Sequence, residues 1–421
     1  MWPFKKKVVP EQLNICIITD RLPISGKAIR KGYVWPVARS MVKKGHKVTL
    51  ISWRNSLAKA HFQNEGVDAY FVGDSEKLPK HLQKTNPQQF NEALLEFFKK
   101  LHSEKQFDIV HSLSFWGLII AKNKRKLKIP VVFNIHAIRL SKLIAISGRA
   151  QESALSILKI SLSIFFRFLT YYYSGDRSIV KSADGIFVTS PQQGLLLERY
   201  YLYPEKKTFL LPYGIDIGQL PPVEKTEQLM NQLNLSSQNK VAVTITDMAE
   251  FEELKVIIRA FEKVSIKKPA ARLIIIGHGP LKKEIEFEVL QLALGSKVIF
   301  TGDLSQDDLT EYISLSDIFI NISSRTTGFE PNTLEAMAQK KVIIGSEVSP
   351  ISSIVEDGID GFLIRPADIN FLSQLIIKIL DEKISAQTIG ERARKKIMDL
   401  FDIDKMVKQT LTAYKKIIAH N

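Results

Sequence analysis

Short apolar runs alternate with amphipathic stretches along nearly the whole chain. Runs at 15–19, 48–52, 109–111, 131–135 and 186–189 are continuous rather than alternating, the pattern of strands buried on both faces of a parallel sheet. Between the first two, Pro36, Lys43, Lys44 and Gly45 punctuate a helix, through fixed φ, the helix dipole and a left-handed cap. The pattern then restarts, with strands expected at 241–245, 273–276, 298–300, 318–320 and 342–344. After the first of these, Leu254, Ile257, Ile258, Phe261 and Val264 recur at helical spacing. Two successive βα series predict an α/β protein of two doubly wound, Rossmann-like domains, each binding ligands at its strand ends. Domains are expected at 1–218 and 219–400, with a Pro221-Pro222 linker near 218–225. A last amphipathic helix at 403–418, within the tail 401–421, is expected to pack back on the first domain.

The 421 residues, 45% hydrophobic and 24% charged, suit ordinary globular domains. Cys16 is the only cysteine and lies in an apolar run, so no disulfide forms within the chain and the thiol reads as a buried core group. No secretory leader is legible and no stretch reaches the roughly 18 apolar residues of a membrane span. The expected location is cytoplasmic, free or peripheral at the inner face of the membrane. A net charge of +15 favours anionic partners, and no nucleic-acid motif is present, so nucleic acid is not expected as a partner. Residues 157–173, ILKISLSIFFRFLTYYY, combine an apolar face with Lys159 and Arg167. They read equally as a segment meeting an anionic membrane surface and as a helix packed between domains or on a protein partner.

Candidate chemistry concentrates in the second series. Residues 274–280, IIIGHGP, end a strand in a glycine turn that admits a close approach of backbone N–H groups to an anion or base. Residues 328–338, GFEPNTLEAMA, put Glu335 in the first turns of a helix. There it can accept two ribose hydroxyls, or serve simply as a carboxylate favoured by the dipole.

Together these segments resemble the nucleotide-binding half of family-four glycosyltransferases. Residues 183–190 (ADGIFVTS), 211–216 (LPYGID), 355–366 (VEDGIDGFLIRP), Gly302, 45–48 (GHKV) and 131–136 (VVFNIH) extend the resemblance over roughly 14–400. The resemblance implies a GT-B fold, two Rossmann-like domains facing across a crevice, with the acceptor held by the first and the donor by the second. It implies retaining transfer of a hexose-type sugar from a UDP- or GDP-sugar to an envelope polysaccharide or lipid-linked acceptor, without metal or other cofactor. His136 and Glu330 take catalytic positions, and Gly277, Gly279, Gly302, Thr327, Gly328, Phe329 and Glu335 take donor-binding ones.

The chain departs from that pattern at the donor diphosphate. The family's Arg and Lys after the first strand fall on Asp247 and Glu252, and no Lys or Arg lies between Lys240 and Lys255. The first carboxylate of the family's Glu-x7-Glu pair falls on Thr327, with Glu330 displaced by three positions. The Gly-Gly-x-Pro-Glu loop reads SPISS at 349–353, and the first-domain glycine pair falls near Ala28-Ile29. Lys27, Arg30 and Arg325 are candidate compensating cations. Two readings follow, an active transferase and a silent relative serving as a binding or regulatory partner. A different GT-B enzyme, an epimerase or phosphorylase, is a more distant third.

Overall fold

The computed structural model describes residues 9–19, 22, 34–53, 61–72, 87–134, 175–211, 213–323, 331–348 and 350–421. They form two compact units, one of 1–214 with 403–421 and one of 215–402.

In the first unit, β1 (Asn14–Ile18), β2 (Lys47–Trp53), β3 (His61–Asn64), β4 (Val67–Val72), β5 (Ile109–Ser112), β6 (Val131–Asn134), β7 (Gly185–Val188) and β8 (Thr208–Leu210) make one sheet in the order β3-β4-β2-β1-β5-β6-β7-β8. All pairings are parallel except β3 on β4. Helices α1 (Val34–Lys43), α2 (Pro87–Lys105), α3 (Leu118–Leu127), α4 (Gly175–Ser182) and α5 (Pro191–Tyr201) connect them. Successive strand residues face opposite ways. Ile15 and Ile17 therefore join a core with α1, whereas Cys16 and Ile18 join one with α2 and α3. Cys16 is fully buried, and that burial pushes its thiol pKa far above the ordinary range.

The β3–β4 hairpin and β8 are absent from the expected strands. β3 is short and largely exposed, so little hydrophobic signal marks it. Its turn uses Glu65 and Gly66, both at positive φ.

The second unit holds β9 (Lys240–Ile245), β10 (Ala271–Ile276), β11 (Val298–Gly302), β12 (Ile318–Asn321), β13 (Val342–Ser346) and the unanticipated β14 (Phe362–Ile364), parallel in the order β11-β10-β9-β12-β13-β14. Its helices are α6 (Glu227–Gln232), α7 (Phe251–Lys267), α8 (Lys282–Gln291), α9 (Gln306–Leu315), α10 (Pro331–Ala338), α11 (Ile369–Leu380) and α12 (Ala386–Leu400). Leu254, Ile257, Ile258, Phe261 and Val264 of α7 are all buried. The expected linker differs from the observed division: 218–225 lies inside the second unit. Gln339 holds it there, donating to the Pro221 carbonyl and accepting from Val223 N–H, both at 2.8 Å.

The chain ends in α13 (Ile403–Ala419), which belongs to the first unit. Met406, Val407, Thr410, Leu411, Tyr414, Ile417 and Ile418 form its buried stripe, the spacing of one helical face. Ser40 Oγ donates to Asp404 at 2.6 Å, and Lys44 pairs with the same carboxylate at 3.2 Å. Inside, His111 Nε2 donates to Asn134 Oδ1 at 2.8 Å and His111 Nδ1 accepts from the Tyr414 hydroxyl at 2.5 Å. Tyr414 is completely buried. Tyr414→Phe is therefore expected to cost about 1–2 kcal/mol, because it strips a buried acceptor of its donor while keeping the ring. Denaturant unfolding of the variant measures this, and an unchanged midpoint would show that the hydroxyl contributes nothing.

Candidate active site

In the second unit the chain steps from β9 outward through β10 to β11, then returns to β12 on the other side of β9. The loops after β9 and β12 thus leave in opposite directions, and a crevice opens at the strands' C-terminal ends. A cavity of about 550 Å³ lies there. Ile245, Leu254, Ile257, Ile276, Ile322 and Leu309 supply apolar lining; Thr246, Asp247, Glu253, His278, Asp303, Asn321, Ser323 and Asn332 supply polar groups.

The polar groups are tied together locally. Ser323 Oγ donates to Glu253 Oε1 at 3.1 Å, and Ser346 Oγ donates to the Ser323 carbonyl at 2.6 Å. Asn321 Nδ2 donates to Thr333 Oγ1 at 3.0 Å, linking β12 to α10. Asp247 Oδ1 accepts from Ala249 N–H at 3.1 Å, and the Thr246 hydroxyl accepts from Met248 N–H at 3.0 Å, side-chain turns that hold the β9–α7 loop.

Among the described residues lining this cavity are three carboxylates, Asp247, Glu253 and Asp303, and no Lys or Arg. Such a lining repels a diphosphate, at about 1 kcal/mol per unit charge at 4 Å in water and several-fold more in a low-dielectric crevice.

Gly277 lines the cavity, and the glycines of 274–280 also meet a packing requirement that the sequence did not reveal. The Gly277 N–H is donated to the Gly302 carbonyl at 2.9 Å, inside the protein. A Cβ at Gly277 would lie 1.9 Å from the Thr246 carbonyl oxygen, and one at Gly279 would lie 1.8 Å from that of Asp247. These residues are glycine because two site loops pack backbone against backbone. Gly277 adopts φ +122° and Gly302 φ +69°, conformations that glycine takes without strain.

Of the other sequence-derived site residues, Asp247 lines the cavity, whereas Glu252 does not: it is exposed and pairs with Lys255 at 3.9 Å. Glu253 takes the inward position. Its signal was in the helical spacing, since it stands four residues before Ile257 on the cavity side of α7. Asp303 and Ser323 were also missed, each lying just past a strand end. Glu335 is buried in α10 but is not among the cavity-lining residues. His136, Glu330, Thr327, Gly328, Phe329, Lys27, Arg30 and Arg325 lie outside the described residues, as do 157–173.

Two doubly wound parallel units, the second with a switch-point cavity, define a protein of the GT-B glycosyltransferase class. Residues 32–219 match the family described as Glycosyltransferase Family 4, and 225–396 match Glycosyl transferases group 1. The chain belongs to the family-four glycosyltransferases. It is 26% identical over 231 residues to N-acetyl-alpha-D-glucosaminyl L-malate synthase of Bacillus anthracis, a match covering 55% of this chain and 60% of that protein. It is 24% identical over 279 residues to alpha-monoglucosyldiacylglycerol synthase of Streptococcus pneumoniae, covering 63% and 58%. These matches thus span somewhat more than half the length of either relative. Among solved structures, the HepE protein of Anabaena in complex with UDP-glucose has a TM-score of 0.71 at 16% identity, covering 95% of this chain and all of that one.

Proposed function

We propose that this protein transfers a hexose-type sugar from a UDP- or GDP-sugar to an envelope polysaccharide or glycolipid acceptor, with retention at the anomeric carbon and without a metal cofactor. The observation that carries the reading is the 550 Å³ cavity at the switch point of the second unit, inside the region matching the group 1 family. In this reading the apolar floor takes the base, and Glu335, buried in α10 about one turn beyond the cavity-lining Asn332, takes the ribose hydroxyls. Gly277, Gly279 and Gly302 shape the cavity wall, the loop with Thr327, Gly328 and Phe329 faces the donor sugar, and His136 and Glu330 act at the reacting carbon. Lys27, Arg30 and Arg325 supply the charge that the diphosphate needs. The Anabaena protein of like fold, in complex with UDP-glucose, supports a uridine donor. The Streptococcus relative, a diacylglycerol glucoside synthase by name, supports a lipid acceptor.

A second reading rests on the acidic lining: the donor site is silent and the protein serves as a binding or regulatory partner. Calorimetric titration with UDP-, GDP- and ADP-sugars separates the two. Binding of one donor at micromolar strength, weakened roughly thirtyfold in Glu335→Ala through loss of charge-assisted hydrogen bonds worth about 2 kcal/mol, is the outcome expected of a transferase. Absence of binding by the whole panel would leave only the second reading.

A further inference from the structure

The two units carry opposite charge. Residues 215–402 contain 21 Lys and Arg against 28 Asp and Glu, a net of −7. The whole chain's +15 therefore leaves +22 on the first unit. The topology concentrates much of that charge. In a parallel βα unit the helices run back against the strands, so their C-termini gather at the strands' N-terminal ends. All six described helices of the first unit have a basic residue in the last turn: Lys43; His102 and Lys105; Lys124, Arg125 and Lys126; Lys181; Arg199; and Lys416. Lys44, Lys47, Lys128, Lys206 and Lys415 are exposed at the same end.

Complementing the helix dipole explains single cations of this kind, but it acts equally in the second unit. There, only Lys267 and Lys378 occupy last turns among seven helices. Exposed acids at this end of the first unit are outnumbered by these cations: Glu11, Glu65, Glu104, Glu198 and Glu205, of which Glu65 is paired with Arg39. Asp68 and Asp184 are ion-paired with Lys105 and Lys124.

One corner of this face carries a cavity of about 670 Å³, where the start of β8 meets the end of α13. Lys206, Lys207, Lys416 and His420 line it, with Glu205 and Asp184. Beside it Leu202 is 84% exposed and Tyr200 is 41% exposed. Leu202 caps α5 at φ +52°, a left-handed position that glycine or asparagine fills with less strain. Water gives no reason for leucine there. An apolar side chain standing out among lysines on a broad cationic face is the arrangement of an interfacial surface, apolar contact inserted and cations at the headgroup level.

We propose that this end of the first unit docks on an anionic lipid bilayer, with Leu202 inserted and a lipid phosphate seated among Lys206, Lys207 and Lys416. The residues named for this surface lie outside 157–173, and the proposal is independent of whether the donor cavity is active.

Sedimentation of the full chain with phosphatidylcholine vesicles, with and without phosphatidylglycerol, tests it. Expected is binding to the anionic vesicles alone, released by high salt as screening shortens. Lys206→Glu/Lys416→Glu should lower partitioning about tenfold or more, from roughly 1 kcal/mol per cation. Arg392→Glu/Lys395→Glu on the second unit, an equal change in net charge, should leave it nearly unchanged. Leu202→Asn, which suits the left-handed cap, should weaken binding several-fold at every salt concentration. Thermal melts of each variant check that folding is kept. Equal binding to neutral vesicles would overturn the proposal, as would equal losses in the two charge variants. So would vesicle binding unchanged by the first pair while binding to duplex RNA collapses, since the face would then serve a nucleic acid.

Discussion

Gly279→Ala is expected to destabilise the second unit by about 3 kcal/mol or more and to abolish ligand binding in its cavity. The added Cβ would stand 1.8 Å from the Asp247 carbonyl oxygen, 2.7 Å from its carbon and 2.9 Å from Met248 Cβ. The first two are backbone, and Met248 is fully buried, so no flexible side chain can yield. The β9–α7 and β10–α8 loops must then separate, breaking the bond from Leu281 N–H to the Met248 carbonyl. Overpacking of this kind typically costs 1–3 kcal/mol, and more where backbone must move. Gly295→Ala is the control, since its Cβ would meet only Leu290 Cδ2 at 3.6 Å. A compatible Gly→Ala change is neutral to stabilising by about 0.4–1 kcal/mol. Urea unfolding of both variants reads the difference. Similar midpoints would mean that the two loops are not in fact held together at this point.

Asp247→Arg/Glu253→Lys is expected to tighten UDP binding roughly a hundredfold while leaving uridine affinity nearly unchanged. Each substitution converts repulsion into attraction, and each contact is worth about 1 kcal/mol at 4 Å even in water. The two changes in sign outweigh loss of the Ser323–Glu253 hydrogen bond, a net of about 1 kcal/mol. Glu252→Lys should do little, because Glu252 is exposed and paired with Lys255. Calorimetry at low and high salt measures all three, and the gain should shrink as salt rises. If the double variant binds UDP no better than the parent chain, these carboxylates do not meet a phosphate, and the electrostatic account of the site is wrong. A wild-type chain that already binds UDP at micromolar strength would place the compensating cations elsewhere.

Taken alone, the sequence determined the α/β class, the restart of the βα pattern, most strands and the final helix. Each depends on local hydrophobic periodicity, which survives in one dimension. The run at 15–19 is legible as β1 because both faces of that strand are buried. β3 was not legible because it is exposed, and β8 and β14 because they are short and only partly buried. Tertiary structure decided what depends on neighbours distant in the chain. It showed that Gln339 draws 218–225 into the second unit, and that Glu253 rather than Glu252 faces the cavity. It showed that Gly277 and Gly279 are required by the carbonyls of residues 246 and 247. It also gathered cations scattered from Lys43 to Lys416 onto one end of one unit. Sequence spacing gives the sign of a charge and its turn of helix; only the parallel topology makes helix ends converge, because every return helix must run against its strands.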